Sequence, residues 1–555
     1  MAAPEHTWIE DLANRVSQQA AERGKGPERP IIVASGISPS GPVHLGNLRE
    51  IMVAHAVGEE LAQRGLAVRH LHFWDDYDRF RRVPATVDAG LAEHLGRPLS
   101  AVPDPGGTCH GSYAEHFIAE LDGALARLQI RPEQIRQSRA YAAGVYAEDV
   151  RVALRAHDVI EEVLARRRTL EASAPELANG ERDGLPLRIY CEACGRDSTK
   201  ARFDLLSESL SYRCEACGYA RQLSSKDLVP GKLVWKADWP MRWAHYGVDF
   251  EPGGVDHSSP GSSYEVGTEL VTRVFGGYAP FYVGYSFVGI EGRSKLSSSL
   301  GDVPTPATAL RVLEPRILRW QYLRRRPQAS FSISFGSEVL RLYDEWDALQ
   351  ARVATGRAKH AEEVFWRMSV ATSAGPVEGS ATAVPFRILA AAADVTQANR
   401  EQLLRVVREQ SGRDEDLDLL EAQVQPRLSC AIEWALAFQP DDERTQVRTQ
   451  PASAEEVVCS DEERQAIALL VDGLATHWSL DGLTTLVYGV PKLLDGLELD
   501  TRPDAEMKER QRAFFALVYR LLTHADTGPR LPTLLLSLGR ERVEALLTPF
   551  AAGAR

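Results

Sequence analysis

Four cysteines form the pattern with the most definite chemistry in this chain. Cys191 and Cys194 are separated by two residues, as are Cys214 and Cys217, and a glycine follows each pair. Two close thiolate pairs in one short segment match the spacing of a tetrahedral Zn²⁺ site. Because protein ligands fill all four positions, the zinc is expected to be structural. The remaining cysteines are scattered and are interpreted as buried or incidental thiols: Cys109, Cys430 and Cys459.

A turn rich in glycine and proline follows a short apolar segment near the start of the chain. Residues 30–34 predict a buried strand, and residues 44–63 have the pattern of a helix. The turn between them offers free backbone N–H groups, with His44 and Asn47 in the first helical turn at the positive end of the helix dipole. These donors suit an anionic ligand such as a nucleotide phosphate. A capped helix with an unrelated histidine has the same pattern, so both interpretations stay open.

A second candidate loop covers residues 291–302 and is dominated by serine and glycine. It contains Lys295, one of only nine lysines beside 55 arginines. A lysine kept in an arginine-rich chain indicates a need for a compact, flexible charge. A solvated linker has a similar composition. The loop follows a second group of predicted strands, however, and two halves of one sheet can bring both loops to one crevice.

The elements that position these residues change character along the chain. We predict an α/β Rossmann-type catalytic domain with a zinc-knuckle insertion over residues 1–335, followed by an all-α C-terminal domain over residues 336–555. In the first domain, the Rossmann halves are expected at about 28–80 and 229–300. The connective insertion is expected at about 81–228 and contains the zinc knuckle, 187–222. The predicted strands are 30–34, 67–74, 232–235 and 281–287. The predicted helices are 7–28, 44–63, 113–130, 145–168, 339–355, 359–370, 398–409, 461–475, 505–523 and 540–548.

Composition and charge limit the classes of protein that fit this sequence. Its 555 residues are 44% hydrophobic and 25% charged, which is typical of soluble globular proteins. No apolar segment approaches the ~20 residues that cross a bilayer, the N-terminus lacks a secretory pattern, and seven cysteines make no disulfide framework. We therefore expect a cytoplasmic protein with no membrane contact.

A net charge of −13 means that any nucleic acid must be held by local basic patches. The candidates, each of which could also be a solvated face, are residues 166–168 and 324–326.

The two loops resemble the signature sequences of the class I aminoacyl-tRNA synthetases. His44-Leu45-Gly46-Asn47 is similar to their HIGH motif, and residues 295–299 (KLSSS) are similar to their KMSKS loop, in the same order. Further segments resemble the class I lysyl-tRNA synthetases in particular, and the resemblance covers nearly the whole chain. These segments are residues 35–50, 74–79, 103–105, 112–117, 238–240, 247–252, 331–335 and 530–532.

The resemblance implies a two-step, ATP-dependent reaction with L-lysine, ATP and tRNA(Lys) as substrates. The lysine carboxylate attacks the α-phosphate, pyrophosphate leaves, and the ribose hydroxyl at the tRNA 3′ end takes the lysyl group. Positioning and charge stabilisation can carry such a step without a protein nucleophile. Mg²⁺ is expected with the ATP. The implied catalytic residues are His44, Asn47, Lys295, Ser297 and Ser298, and the implied ATP-binding residues are Pro42, His44, Gly46, Asn47 and Lys295.

Selection of lysine requires a site for an ammonium group at the end of four methylenes. A desolvated cation needs a carboxylate, and aromatic rings attract it. The pocket candidates are Gly36, Ser38, Asp75, Trp235, Asp238, His257 and Tyr285. A position in the hydrophobic core would explain Trp235 and Tyr285 as well as a role in the pocket would. Helix capping or ion pairing would explain the nearby Asp76 and Asp78.

The resemblance also implies that the helical C-terminal domain binds the anticodon, and we expect a monomer. Trp434 and Phe438 fit the core of that domain better than base stacking. Two positions depart from the family pattern, because Leu300 and Val255 stand where lysines are usual. The alternatives are therefore a synthetase paralogue that activates an amino acid for a non-tRNA acceptor and a weakly catalytic tRNA-binding regulatory protein.

Overall fold

The computed structural model describes twelve segments of the chain. They are residues 6–26, 28–84, 87–168, 185–224, 227–258, 262–291, 304–381, 384–412, 414–440, 444–453, 455–499 and 501–551. The chain forms two compact units. Unit 1 comprises residues 1–310, 315–333 and 352–378, and unit 2 comprises residues 311–314, 334–351 and 379–555. Among the described residues, no helix is both long and apolar enough to cross a membrane.

A five-stranded parallel sheet lies at the centre of unit 1. Its strands are β1 (Ile31–Ile37), β2 (Val68–Trp74), β3 (Glu133–Arg136), β9 (Phe250–Gly254) and β10 (Phe281–Tyr285). They lie in the order β10-β9-β1-β2-β3, so the chain order reverses beside β1. Ligands of open parallel sheets bind at the carboxyl ends of the strands beside such a reversal. This arrangement agrees with a doubly wound α/β domain.

Helices connect these strands and cover the faces of the sheet. In chain order they are α1 (Trp8–Glu22), α2 (Leu45–Gln63), α3 (Tyr113–Arg127), α4 (Gln137–Ala142), α5 (Ala147–Arg155), α6 (His157–Arg168), α7 (Trp235–Tyr246) and α8 (Ser263–Arg273). The helix α2 connects β1 to β2 and is buried along most of its length, because it packs between the sheet and α1. The helix α1 begins with a reciprocal capping box between Thr7 and Glu10.

The structure corrects three of the predicted elements. The strand β3 lies inside the segment predicted as an insertion at 81–228 and pairs with β2. Its sequence, EQIR, has no apolar run, which fits an exposed edge strand. The predicted helix 145–168 is two helices, α5 and α6. The predicted strand 232–235 is β8 (Gly231–Leu233), and Trp235 already begins α7.

The cysteine-containing segment folds as small antiparallel sheets. β4 (Leu187–Ile189) pairs with β8, and β5 (Thr199–Asp204), β6 (Ser209–Cys214) and β7 (Ala220–Ser224) form a three-stranded sheet. One face of this sheet packs into a cluster that also contains Tyr141 and Tyr146. A further pair follows the central sheet, β11 (Val288–Glu291) with β12 (Phe331–Ser334). A two-residue pair closes the series, Ala371–Thr372 with Gly375–Pro376.

The later part of the chain is helical. The helices after α8 are Pro306–Val312, Pro315–Leu323, Glu338–Ala354, His360–Val370, Phe386–Thr396, Arg400–Gln410, Leu417–Val424, Arg427–Glu433, Asp461–Leu474, Leu480–Leu494, Ala505–Leu522, Leu531–Leu538 and Arg540–Leu547. Within unit 1, Arg319 donates to the carbonyl of Met368 at 2.6 and 3.1 Å, so residues 352–378 are an integral part of that unit. Within unit 2, Arg427 forms a buried ion pair with Glu314 at 2.6 Å.

Candidate active site

The first predicted signature lies at the N-terminus of α2, directly after β1. His44 is the N-cap residue: its Nδ1 accepts from the backbone N–H of Asn47, and the Asn47 carboxamide oxygen accepts from the His44 N–H, both at 3.3 Å. A Cβ on Gly46 would lie 2.8 Å from the His44 ring, so the ring position requires glycine there. His44 has an exposed surface, but the protein around its ring partly desolvates it and so lowers its pKa. The imidazole is therefore neutral near pH 7 and can donate through Nε2.

The second predicted signature contains Lys295, Ser297 and Ser298, which lie outside the described residues. Its neighbours are described on both sides. β11 precedes it and packs against α2. Pro304 follows it, and the Pro304 carbonyl accepts from Leu45 N–H at 3.2 Å. The chain thus returns from this segment to the residue next to His44.

A half-buried carboxylate that sequence reasoning missed lies on the second turn of α2. Glu50 accepts from the backbone N–H of Gly36 at 2.6 Å and from the Tyr285 hydroxyl at 2.9 Å. Burial raises the pKa of Glu50 to about 8, against the opposing effect of the Gly36 hydrogen bond. Gly36 and Tyr285 are predicted pocket residues, and this carboxylate joins them. Glu50 is the last residue of the segment 35–50, but a helical glutamate carries no sequence signal of its own.

Asp75 and Asp238 belong to a buried network of charges at the ends of β2 and α7. Asp75 lies 3.2 Å from Arg242 and 3.4 Å from Lys232, and Asp238 lies 2.8 Å from Arg242 and 3.6 Å from Lys232. Asp238 also accepts from the Tyr141 hydroxyl. Burial raises the pKa of Asp75 to about 6, while the two cations act in the opposite direction. Each of these carboxylates therefore already has two cationic neighbours.

Aromatic rings form the wall next to this network. Trp235 stacks on Trp239 with ring centres 5.1 Å apart, and the His257 ring lies 6.3 Å from Trp235 and 5.7 Å from Trp239. The Arg242 guanidinium lies over the Trp235 ring at 5.3 Å. Trp235, His257 and Tyr285 are only half-buried, which leaves ring surface for a ligand. Of the remaining predicted residues, Ser38 is half-buried and Pro42 is exposed in the turn after β1.

Four of the acidic and basic candidates outside this pocket have structural partners. Asp76 accepts from the backbone N–H and the hydroxyl of Ser138, and Asp78 pairs with Lys232 at 2.8 Å. In the cluster 166–168, Arg166 pairs with Glu269 at 2.6 Å. In the cluster 324–326, Arg324 lies over the Trp320 ring at 4.0 Å, while the other two arginines are exposed. In unit 2, the two aromatic candidates, Trp434 and Phe438, are buried.

The four predicted zinc ligands come together in the structure. The Sγ atoms of Cys191, Cys194, Cys214 and Cys217 all lie within 4.8 Å of one another. The shortest pairs are 3.6 Å (Cys191 to Cys217) and 3.7 Å (Cys194 to Cys214). Gly195 and Gly218 have φ values of 73° and 77°, so the turn after each cysteine pair adopts a left-handed conformation that favours glycine. Four thiols at these separations can surround one metal ion.

A second group of metal-ligating side chains was missed, because Cys109 was interpreted as an incidental thiol. Ligand atoms of Asp104, Cys109, His110 and His116 also lie within 4.8 Å of one another. His116 Nδ1 lies 2.9 Å from Asp104, and Cys109 Sγ lies 3.0 Å from it. Asp104 and His116 fall in two of the segments that resemble the family, and that was the available signal. A carboxylate, a thiol and two imidazoles are all donors that zinc accepts.

Comparisons with known proteins agree with this geometry. Residues 6–372 match the family described as tRNA synthetases class I (K). A lysine–tRNA ligase of Streptomyces coelicolor is 46% identical over 97% of this chain and 98% of its own length. A lysine–tRNA ligase of Pyrococcus horikoshii is 34% identical over the same shares of the two chains. A lysine–tRNA ligase of Treponema pallidum is 31% identical over 98% of both.

A parallel sheet whose chain order reverses beside β1, with the N-terminus of α2 at that point, is the arrangement of a doubly wound α/β domain. The chain belongs to the family of class I tRNA synthetases of the lysine type.

Proposed function

We propose that this protein is a lysine–tRNA ligase that joins L-lysine to tRNA(Lys) through a lysyl-adenylate. The observation that carries the proposal is the helix α2, with a histidine at its N-terminus and a half-buried carboxylate on its second turn. We place the lysine substrate with its ammonium at Glu50 and its carboxylate towards the N-terminus of α2. The full-length similarity to lysine–tRNA ligases supports the same activity.

The ammonium of the substrate lysine is placed at Glu50. Asp75 and Asp238 share the cations Lys232 and Arg242, whereas Glu50 accepts from a backbone N–H and a phenol and forms no ion pair within the described residues. An incoming ammonium therefore gains most at Glu50. Lys232 and Arg242 pair with Asp75 and Asp238, and these ion pairs position the start of α7. Trp235, His257 and Tyr285 then contribute ring surface around the methylenes.

The ATP phosphates are placed at the first turn of α2. His44 Nε2 and the Asn47 side chain act there as donors, beside the free N–H groups of the helix terminus, and Gly46 and Pro42 shape the turn. The segment with Lys295, Ser297 and Ser298 supplies an ammonium and hydroxyl donors to the departing pyrophosphate. Mg²⁺ accompanies the ATP, and no dedicated protein site for it is proposed.

Both groups of metal-ligating side chains are proposed to bind zinc. The four cysteines give a closed structural site that ties the turn after β4 to the β6 turn. Asp104, Cys109, His110 and His116 form a second closed set next to the start of α3. Metal analysis tests each site separately. Cys214→Ser should remove one equivalent of zinc from the four-cysteine site, and Cys109→Ser should remove one equivalent from the other site.

Charging of a tRNA(Lys) transcript with labelled lysine and ATP tests the function. The expected result is lysyl-tRNA together with AMP and pyrophosphate in equal amounts. Pyrophosphate exchange without charging would favour the alternative of an activating paralogue with another acceptor. Tight tRNA binding with neither activity would favour the regulatory alternative, which is motivated by Leu300 and Val255.

A further inference from the structure

Glu251 is a buried carboxylate on β9 that lies against aromatic rings of α7. It belongs to the segment 247–252 and is only 4% exposed. Its Oε2 accepts from the indole N–H of Trp243 at 2.6 Å, and the indole N–H of Trp239 stabilises the same charged carboxylate. Burial raises the pKa of Glu251, while these two donors and the Arg242 guanidinium act in the opposite direction. Glu251 therefore joins two rings of α7 to the central sheet.

The rings that Glu251 holds lie on one face of α7. Trp235, Trp239 and Trp243 recur every four residues, and successive ring centres are 5.1 and 4.7 Å apart. At one end, the Trp243 ring lies so close to Gly267 of α8 that a Cβ there would be 2.7 Å from it. At the other end, the half-buried Trp235 ring belongs to the lysine pocket. A displacement of Trp239 would therefore move the ring surface that the substrate methylenes meet.

The strand that carries Glu251 also places His257, another ring of the pocket. The carbonyl of Gly254, the last residue of β9, accepts from the Tyr282 hydroxyl at 2.9 Å. The short helix Val255–Ser258 follows directly and brings the His257 ring to 5.7 Å from Trp239. One strand thus supplies both the carboxylate that holds the indoles and the histidine that faces them.

Glu251 also acts on the carboxylate proposed to receive the substrate ammonium. Its charge raises the pKa of Glu50, in addition to the larger effect of burial. The other titratable groups that face Glu50 are Asp75 and Tyr285, and those that face Glu251 are Arg242, Asp75 and Tyr264. A like charge nearby disfavours ionisation, and an incoming cation relieves that repulsion. The two carboxylates together therefore favour a cationic substrate.

We propose that Glu251 is a positioning residue of the lysine pocket: it holds Trp239, and through it Trp235, in place for the substrate methylenes, and it adds a second negative charge near Glu50. The proposal rests on the lysine–tRNA ligase function proposed above. Glu251 acts through the rings and through its charge. Because the indole hydrogen bonds form without substrate, the wall is already ordered when lysine arrives, and binding loses less conformational entropy.

Two variants separate the charge of Glu251 from its length. Glu251→Asp keeps the charge but withdraws the acceptor from the indoles. Glu251→Gln keeps the length but removes the charge, and its amide N–H₂ meets an indole N–H, donor against donor. Lysine KM is measured in tRNA(Lys) charging at about pH 9, where Glu50 is mostly ionised. Both variants should raise it about 2- to 30-fold, the range for loss of an aromatic contact with a cation, and leave the KM for ATP unchanged.

The pH dependence of kcat/KM for lysine separates this role from a merely structural one. In Glu251→Gln, the rise that follows ionisation of Glu50 should move to lower pH, because the like charge is gone. In Glu251→Asp, the rise should stay near its wild-type position. Glu59→Gln is the matched control, since Glu59 is a buried glutamate of unit 1 that accepts from Ser373 at 2.7 and 2.8 Å. This control should keep the wild-type lysine KM and pH profile.

The possible outcomes distinguish this proposal from the ligase function. Wild-type protein that fails to form lysyl-tRNA would overturn both. If wild type is active and a folded Glu251→Gln keeps its lysine KM and pH profile, Glu251 has no part in the pocket and the ligase function stands. Equal rises in the KM for lysine and for ATP would also overturn the proposal. If both Glu251 variants unfold, Trp239→Phe, which removes only one indole donor and keeps a ring, decides the question: an unchanged lysine KM would refute the role.

Discussion

Replacing Glu50 by glutamine removes the negative charge proposed to bind the substrate ammonium and keeps the size of the side chain. An amide oxygen can still accept from Gly36 N–H, so the change leaves α2 and β1 in place. Truncating one partner of a buried, hydrogen-bonded charge pair costs about 2–5 kcal/mol. At about 1.4 kcal/mol per tenfold change in affinity, the KM for lysine should rise roughly 30-fold to several thousand-fold. The KM for ATP should change little.

The same carboxylate predicts how lysine binding depends on pH. The pKa of Glu50 is about 8 in the free protein, so at pH 7 only about one molecule in ten carries the charge. The ammonium binds the ionised form, and binding therefore releases a proton. Accordingly, kcat/KM for lysine should rise about tenfold per pH unit up to about pH 8 and level off above it. Tyr285→Phe removes a hydrogen bond that lowers the pKa of Glu50, so the rise should move to higher pH.

The assay is charging of tRNA(Lys) at saturating ATP and tRNA over pH 6–9, with lysine varied. Glu60→Gln is the matched control, since Glu60 is on the same helix, pairs with Arg64 and lies about 15 Å further along the axis. Glu50→Gln should abolish the rise with pH, and the control should keep it. An unchanged lysine KM in Glu50→Gln, or a wild-type profile that is flat from pH 6 to 8, would refute the assignment.

Three further predictions concern the other parts of the site. His44→Ala should slow adenylate formation by about 10²–10³-fold, the scale for loss of one preorganised donor, with a small fall in melting temperature from loss of the N-cap of α2. A correctly folded variant with wild-type rate would contradict the role. Lys295→Ala should lower kcat far more than it raises the KM for lysine, because the contact of Lys295 with pyrophosphate strengthens as pyrophosphate leaves. Leu300→Lys should speed the reaction if the lack of a second cation limits its rate. Cys214→Ser should lose one equivalent of zinc and have a lower melting temperature, with little change in the KM for ATP. Full zinc content in this variant would exclude the four-cysteine site.

The parts of the fold with strong local patterns could be predicted from the sequence. β1, α2 and the late helix Asp461–Leu474 lie within a few residues of their predicted positions, because each has an apolar periodicity of its own. β3 could not be predicted, since its four residues are mostly polar and it forms only by pairing with β2. The split between α5 and α6 was missed for a related reason: the hydrophobic pattern continues through the break.

Individual site residues could be predicted where a motif fixes the backbone, and not where distant charges meet. His44 and the four cysteines lie in short motifs whose spacing determines their neighbours. The network of Asp75, Lys232 and Arg242 joins residues more than 150 positions apart, and only the folded sheet shows that Asp75 already has two cationic neighbours. For this reason the sequence suggested Asp75 and Asp238 as ammonium partners and passed over Glu50.

The arrangement on α2 also explains why a single helix can select lysine by length. His44 and Glu50 are six residues apart, which is about 9 Å along the helix axis. In the proposed placement, the phosphate that the lysine carboxylate attacks lies at one end of this distance, and the ammonium lies at the other. A shorter cationic amino acid that reaches the phosphate cannot also reach Glu50, and it leaves that carboxylate without its partner. At pH 7 an unpaired Glu50 stays mostly protonated, so the shorter substrate is disfavoured because it forgoes the ammonium–carboxylate contact, and no steric barrier is required.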